Sequence, residues 1–261
     1  YNRRCAPAYL DVKRLMKDVP RPWFINYRLM YPNPEKQGND FYATHARILY
    51  ECCHILDLVA WLMEARPKRV FMTGDRTRNN ACILEFGDGS QVSFLCGSLG
   101  SYCLWKEYLE VFGAYTALTV SDFIDMRVRG LTGEYDRIFG AYRGEHDGDI
   151  RQHGFDFYET YKAKKLMGAK EEYREKYGMV VEEVRRPGPC AFGPRLLTDL
   201  DPDSWNFVCD KGWEGSVRHF ARAFLDGTVP QNADGTAGAL STRMALALLK
   251  SLETGEAQTF S

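Results

Sequence analysis

The stretch YECCHILDLVAWLME (residues 50–64) places an acid, two thiols and an imidazole at the head of an otherwise apolar run. Steps of three and four residues return to one face of a helix, so Arg47, Glu51 and His54 are expected to form a polar stripe, with Asp57 a neighbour of His54 along that face. An imidazole titrates near neutral pH, which suits it to taking and returning a proton. Charged groups set among apolar ones are costly unless a partner or ligand compensates them. Two readings follow: His54 works on a ligand, or it is a structural residue bonded to Glu51 or Asp57. Metal chemistry is not expected here, because the consecutive side chains of Cys52, Cys53 and His54 diverge by about 100° each on a helix.

Other sequence signals are weaker. GEHDGDIRQH (144–153) holds two His and two Asp and reads as a solvated acidic loop before it reads as a cation site. There is no G-x-G-x-x-G, no phosphate-loop motif and no G-x-S-x-G elbow, so neither a nucleotide cradle nor a serine nucleophile is expected within the chain.

The bulk properties bound the setting of these residues. A chain of 261 residues can be one large domain or a domain with a long insertion. Its formal net charge of −1 gives no overall electrostatic case for nucleic acid or an anionic membrane surface. Its apolar runs fall short of the ~20 residues that cross a bilayer. The eight cysteines lack C-x-x-C spacing and sit in apolar stretches, the pattern of reduced thiols in a cytoplasmic protein. The start, YNRRCAPAYL, has neither Met nor an apolar signal region, and reads as cut from a longer chain.

Periodicity supplies the positioning elements. Tyr9, Val12, Leu15 and Met16 predict a short first helix, WFINYRLMY a strand, and residues 44–65 one long helix that carries the polar stripe. From Lys68 the pattern alternates in five runs that predict a meander of roughly five strands, with Asp88-Gly89 as its clearest hairpin turn. Two further helices are predicted. One has Val217, Phe220, Ala221, Phe224 and Leu225 on its apolar face, and the other runs from Gly235 to Leu252 with Ala239, Leu240, Met244, Ala247, Leu248 and Ser251. Such helices are expected to cover one face of the sheet. Residues 131–209 are charged, then loop-like, and read as an insertion within a single domain spanning 1–261.

In order, YNRRCAPAYLDVKRLM, INYRL, ARILYECCHILDLVAWL, LEFGDGSQVSF, KEYLEVFGAYTALTVSDF and STRMALALLKSLETGE resemble the C-terminal, substrate-side domain of the Gfo/Idh/MocA oxidoreductases. The resemblance covers about residues 1–130 and 210–256. It implies an α+β fold, an open and mainly antiparallel sheet with helices packed on one face, like the C-terminal domain of dihydrodipicolinate reductase. It further implies a sugar or cyclitol substrate, and NAD or NADP bound mainly by an N-terminal Rossmann domain that is not in this chain. Homo-oligomerisation is expected through the open sheet face, with no nucleic acid or membrane partner.

The family role carried to His54 is proton transfer, with Glu51 as its partner and a Lys of an upstream E-K-P motif that this sequence lacks. Arg47 matches a family Arg, and Tyr27 and Arg28 fall where members present substrate contacts; Asp57 joins them as a candidate. There are departures. His45 and Ala46 stand where two Gly are frequent, and Tyr50 where some members have Asp. The chain by itself is expected to be inactive, and a scaffold derived from the family, or a lyase that uses NAD transiently, are the competing readings.

Overall fold

The computed structural model describes residues 1–30, 46–97, 106–133, 136–139, 209–230 and 232–260. The chain opens with a 3₁₀ turn, Arg3–Cys5, and α1, Pro7–Met16, whose proline at the first turn suits a helix start. The apolar positions expected of α1 are those it buries, Tyr9, Val12, Leu15 and Met16.

Among the described residues nine strands form one sheet: β1 Phe24–Met30, β2 Arg69–Gly74, β3 Asn80–Glu85, β4 Gln91–Gly97, β5 Glu107–Gly113, β6 Thr116–Ser121, β7 Asp125–Arg129, β8 Arg137–Ile138 and β9 Gln258–Thr259. Their order is β8-β7-β6-β5-β1-β4-β3-β2-β9. The meander is therefore divided: β1 lies between β4 and β5, parallel to the first and antiparallel to the second. The run 107–121 is two strands rather than one. Ala114 and Tyr115 turn the chain with φ of 41° and 65°, the left-handed pair that a two-residue hairpin requires. At the expected hairpin between β3 and β4, Gly89 has φ 86°.

Alternation gives the sheet two unlike faces. Ile25, Tyr27, Leu29, Val92, Phe94, Leu109 and Val111 face inward and are buried, whereas Phe24, Ile83, Leu95 and Phe112 on the other face stay 39–47% exposed. Helices pack on the inward face. The single helix expected over 44–65 is instead α2, Arg47–Tyr50, and α3, Cys53–Met63, interrupted at Glu51 and Cys52. Residues 44 and 45 lie outside the described residues. α3 buries Ile55, Leu56, Leu58, Val59, Leu62 and Met63, and Lys13 of α1 donates to the carbonyls of Trp61 and Leu62 near its end.

The last two helices are α4, Trp213–Leu225, and α5, Gly235–Thr254. α5 packs on β2 and α3, burying Met244, Ala245, Leu248 and Leu249, and its Asp234 cap accepts from the Ala237 amide at 2.8 Å. α4 departs from expectation. Its stripe is exposed, from 59% at Phe220 to 82% at Leu225, because the helix seats on the first turn of the chain rather than on the sheet. Gly212 and Gly215 permit that approach; a Cβ on either would meet the backbone of residues 2–6. Residues 140–208, which include the 144–153 loop and most of the expected insertion, lie outside the described residues.

Candidate functional site

Glu107 opens β5 on the same inward parity as Leu109 and Val111, so the strand carries a carboxylate into the core. Isolated, it would be very costly there. Arg3 grips it with two bonds, Nε to Oε2 at 2.7 Å and a terminal nitrogen to Oε1 at 2.9 Å. Lys211 Nζ reaches Oε1 at 3.1 Å, and the Tyr27 hydroxyl donates to Oε2 at 2.5 Å. Burial pushes the Glu107 carboxyl up, but Arg3 and Lys211 outweigh it and hold the group well below the usual carboxylate range.

A second pair borders this cluster. Lys106 Nζ lies 3.4 Å from Glu51 Oε1, with 14% and 25% of the two side chains exposed, so the pair reaches the surface where the Glu107 cluster does not. Burial lowers the Lys106 ammonium despite Glu51 beside it. In Glu51 burial acts upward, and Lys106, Arg3 and Arg47 together bring the carboxyl below its ordinary value.

His54 stands in the first turn of α3. Its Nδ1 is buried without a hydrogen-bond partner, and its ring meets that of Tyr1 edge-on at 5.5 Å. Burial, then the charge of Arg3, lowers its pKa to about 4. The imidazole is thus neutral at pH 7. The cations Arg3, Arg47, Lys106 and Lys211 stand among the carboxylates Glu51, Glu107 and Asp122, one more positive charge than negative, a setting that favours a developing alkoxide. The shift also acts on stability. An unfolded chain protonates His54 near 6.5 and the folded chain only near 4, so stability falls as pH drops through that window, by up to about 3 kcal/mol. Denaturant midpoints measured at pH 7 and pH 4.5 are expected to lie closer together in His54→Gln than in the unaltered protein.

The expected stripe is dispersed. Arg47 is 2% exposed and donates from Nε to Cys96 Sγ at 3.3 Å. Glu51 turns to Lys106, leaving Nδ1 of His54 without it. Asp57, wholly buried, accepts two bonds from Arg4, at 2.8 and 2.6 Å. Tyr27 is equally buried, between Glu107 and the Tyr9 hydroxyl at 3.0 Å, and so lies beneath the cluster rather than at its opening. Arg28 follows Tyr27 in β1 and therefore points to the opposite face, over the Tyr108 ring at 5.4 Å. The structure thus leaves Glu51 acting on His54 through its charge and not through a hydrogen bond, and sets Arg28 apart.

Arg3, Lys106, Glu107 and Lys211 were not among the expected site residues. Glu107 had a signal, a charge on the apolar parity of a strand. Lys211 had none. Among the described residues no group of His, Cys, Asp and Glu is arranged to hold a metal, and no helix is long and apolar enough to cross a membrane.

No protein-family model and no curated protein sequence matches the chain. Solved structures do match in fold. A myo-inositol dehydrogenase from Corynebacterium glutamicum shares 15% identity at a TM-score of 0.60, over 100% of this chain and 63% of its own. An aldose-aldose oxidoreductase from Caulobacter crescentus, complexed with glycerol, shares 12% at 0.60 over 100% and 62%. An oxidoreductase from Agrobacterium radiobacter, in complex with NAD+, L-tartaric acid and magnesium, shares 11% at 0.61 over 99% and 63%. The expected α+β class, an open and mainly antiparallel sheet with helices on one face, is therefore the one found, and it is the fold of part of these larger dehydrogenase chains.

Proposed function

We propose that this chain is the substrate-side domain of an NAD(P)-dependent oxidoreductase of the Gfo/Idh/MocA type, acting on a hydroxyl of a sugar or cyclitol. The observation that carries the reading is His54: a neutral imidazole with an unpartnered, buried Nδ1 beside an excess of cations, on a fold shared with sugar and cyclitol dehydrogenases. His54 receives the hydroxyl proton as the carbon is oxidised. Lys106 and Glu51, at the partly exposed edge, orient the hydroxyl and offset the charge that develops on its oxygen.

The nicotinamide group accepts the hydride when bound. This chain does not fit it: among the described residues β2, β3, β5 and β6 each turn into the next strand and β7 leads into a bend, so none of these exits is a glycine-rich strand-to-helix turn for a pyrophosphate. The holder in this reading is a Rossmann domain joined ahead of Tyr1. The exposed stripe of α4, adjacent to residues 2–6, suits the surface it packs on, and the half-exposed apolar face of the sheet suits a second copy of the chain.

The test uses the full-length protein with NAD+ or NADP+ and a panel of sugars and cyclitols. Substrate-dependent formation of reduced nicotinamide is the expected outcome. A protein that binds neither nucleotide would instead be a scaffold, and turnover without net redox change would make it a lyase.

A further inference from the structure

A working imidazole is usually set in its plane by a hydrogen bond to one of its ring nitrogens. The buried Nδ1 of His54 has none, so packing must carry much of that task. The Tyr1 ring is placed for it, with centroids 5.5 Å apart and planes at 85°, the edge-to-face arrangement that aromatic rings favour. Both side chains are half-buried, and the Tyr1 ring covers imidazole surface that water would otherwise reach.

An aromatic ring on a loose segment would position nothing. Here the three residues after Tyr1 are each tied to a different part of the fold. Asn2 Nδ2 donates to the Lys211 carbonyl at 2.8 Å, just ahead of α4, and Arg3 grips Glu107 of β5. Arg4 donates twice to Asp57, one turn beyond His54 on α3, so a bond to the helix that carries the imidazole also sets the approach of Tyr1. The Cys5 amide closes the turn on the Asn2 carbonyl at 2.8 Å.

We propose that Tyr1 is the positioning residue of His54: its ring fixes the plane of the imidazole and shields it from water, and the anchors of residues 2–4 hold the ring there. This role rests on the proton-accepting reading of His54. Tyr1 touches no reacting atom and acts through the imidazole, whose small misplacement costs rate steeply. A change at the Tyr1 side chain leaves the charges that face His54 in place. Arg3 and the terminal amine oppose its proton, Glu51 and Glu107 favour it, and Asp57 is paired with Arg4. Burial raises the Tyr1 phenol and the Cys53 thiol, so both are neutral at pH 7. Burial is also the largest cause of the low His54 value, so loss of the covering ring should raise it.

The experiment reads the His54 ring proton by NMR in full-length protein, with the signal assigned by its loss in His54→Gln. Between about pH 5 and 7.5 it is expected to stay fixed in the unaltered protein and in Tyr1→Phe, and to titrate in Tyr1→Ala as the pKa rises from about 4 toward 6.5. Asn2→Ala keeps the ring but loosens its anchor, and should move the signal the same way by less. In turnover, Tyr1→Ala is expected to lower kcat about tenfold with KM little changed and to move the acid limb of kcat/KM upward, while Tyr1→Phe retains both. A fixed His54 signal in folded Tyr1→Ala overturns the role, and so does a Tyr1→Phe variant as impaired as Tyr1→Ala. Absence of turnover with every sugar removes the proposed function instead, and the titration still decides the role of Tyr1.

Discussion

His54→Ala in the full-length protein is expected to lower kcat by about 10²–10⁴-fold, the contribution usual for a positioned acid–base group. In the proposed reading KM for the sugar should change little, because the Lys106–Glu51 pair assigned to the hydroxyl is left in place. A shift in pH dependence separates this role from a structural one. With the folded pKa at about 4, a proton-accepting His54 leaves the acid limb of kcat/KM far below the 6.5 of a free imidazole, and His54→Ala should remove that limb. Thermal denaturation of the variant checks that the loss is not unfolding. Unchanged kcat, or a lowered kcat with the same pH profile, would remove His54 from the chemistry.

The second large effect is on stability. Arg3→Met leaves Glu107 wholly buried with Lys211 and Tyr27 alone, and breaking such a pair from one side costs about 3–5 kcal/mol. For a domain of this size the melting temperature should fall by roughly 10 °C. Arg14→Met, which removes a half-exposed cation from its 3.3 Å pair with Asp11, should cost less than about 1 kcal/mol. Equal effects in the two variants would refute the account. Because the folded Glu107 carboxyl lies well below its unfolded 4.5, its stabilisation is complete above that value and is lost as pH falls toward the folded one. The gap between Arg3→Met and the unaltered protein should therefore narrow in acid.

What could be read in advance followed the reach of each interaction. Tyr9, Val12, Leu15 and Met16 made α1 legible because their burial depends on helical spacing alone, and Asp88-Gly89 announced its hairpin through local backbone preference. Ala114 and Tyr115 announced nothing, since neither favours the left-handed region they occupy. The interruption at Glu51 and Cys52 was hidden by an apolar pattern that continued through it. The α4 stripe had the right period, but period says that a face is apolar and not what covers it. The charge cluster was least legible: Arg3, Glu107 and Lys211 come from three distant parts of the chain, and only the fold brings them together. The fold class was reached through resemblance across six ordered segments, where strand alternation alone suggested a simple meander.

The central place of β1 has a kinetic consequence. The strand ends at Met30, yet its two neighbours are Gln91–Gly97 and Glu107–Gly113. On a ribosome adding about 5–20 residues per second, the first strand waits several seconds for either edge to pair with. Until then Ile25, Tyr27 and Leu29 have no sheet to enter, and the two groups of strands on either side have no seam. Among the described strands β1 is made first, yet it cannot pair until β4 is complete, so its inward residues are where slow folding and chaperone dependence should concentrate.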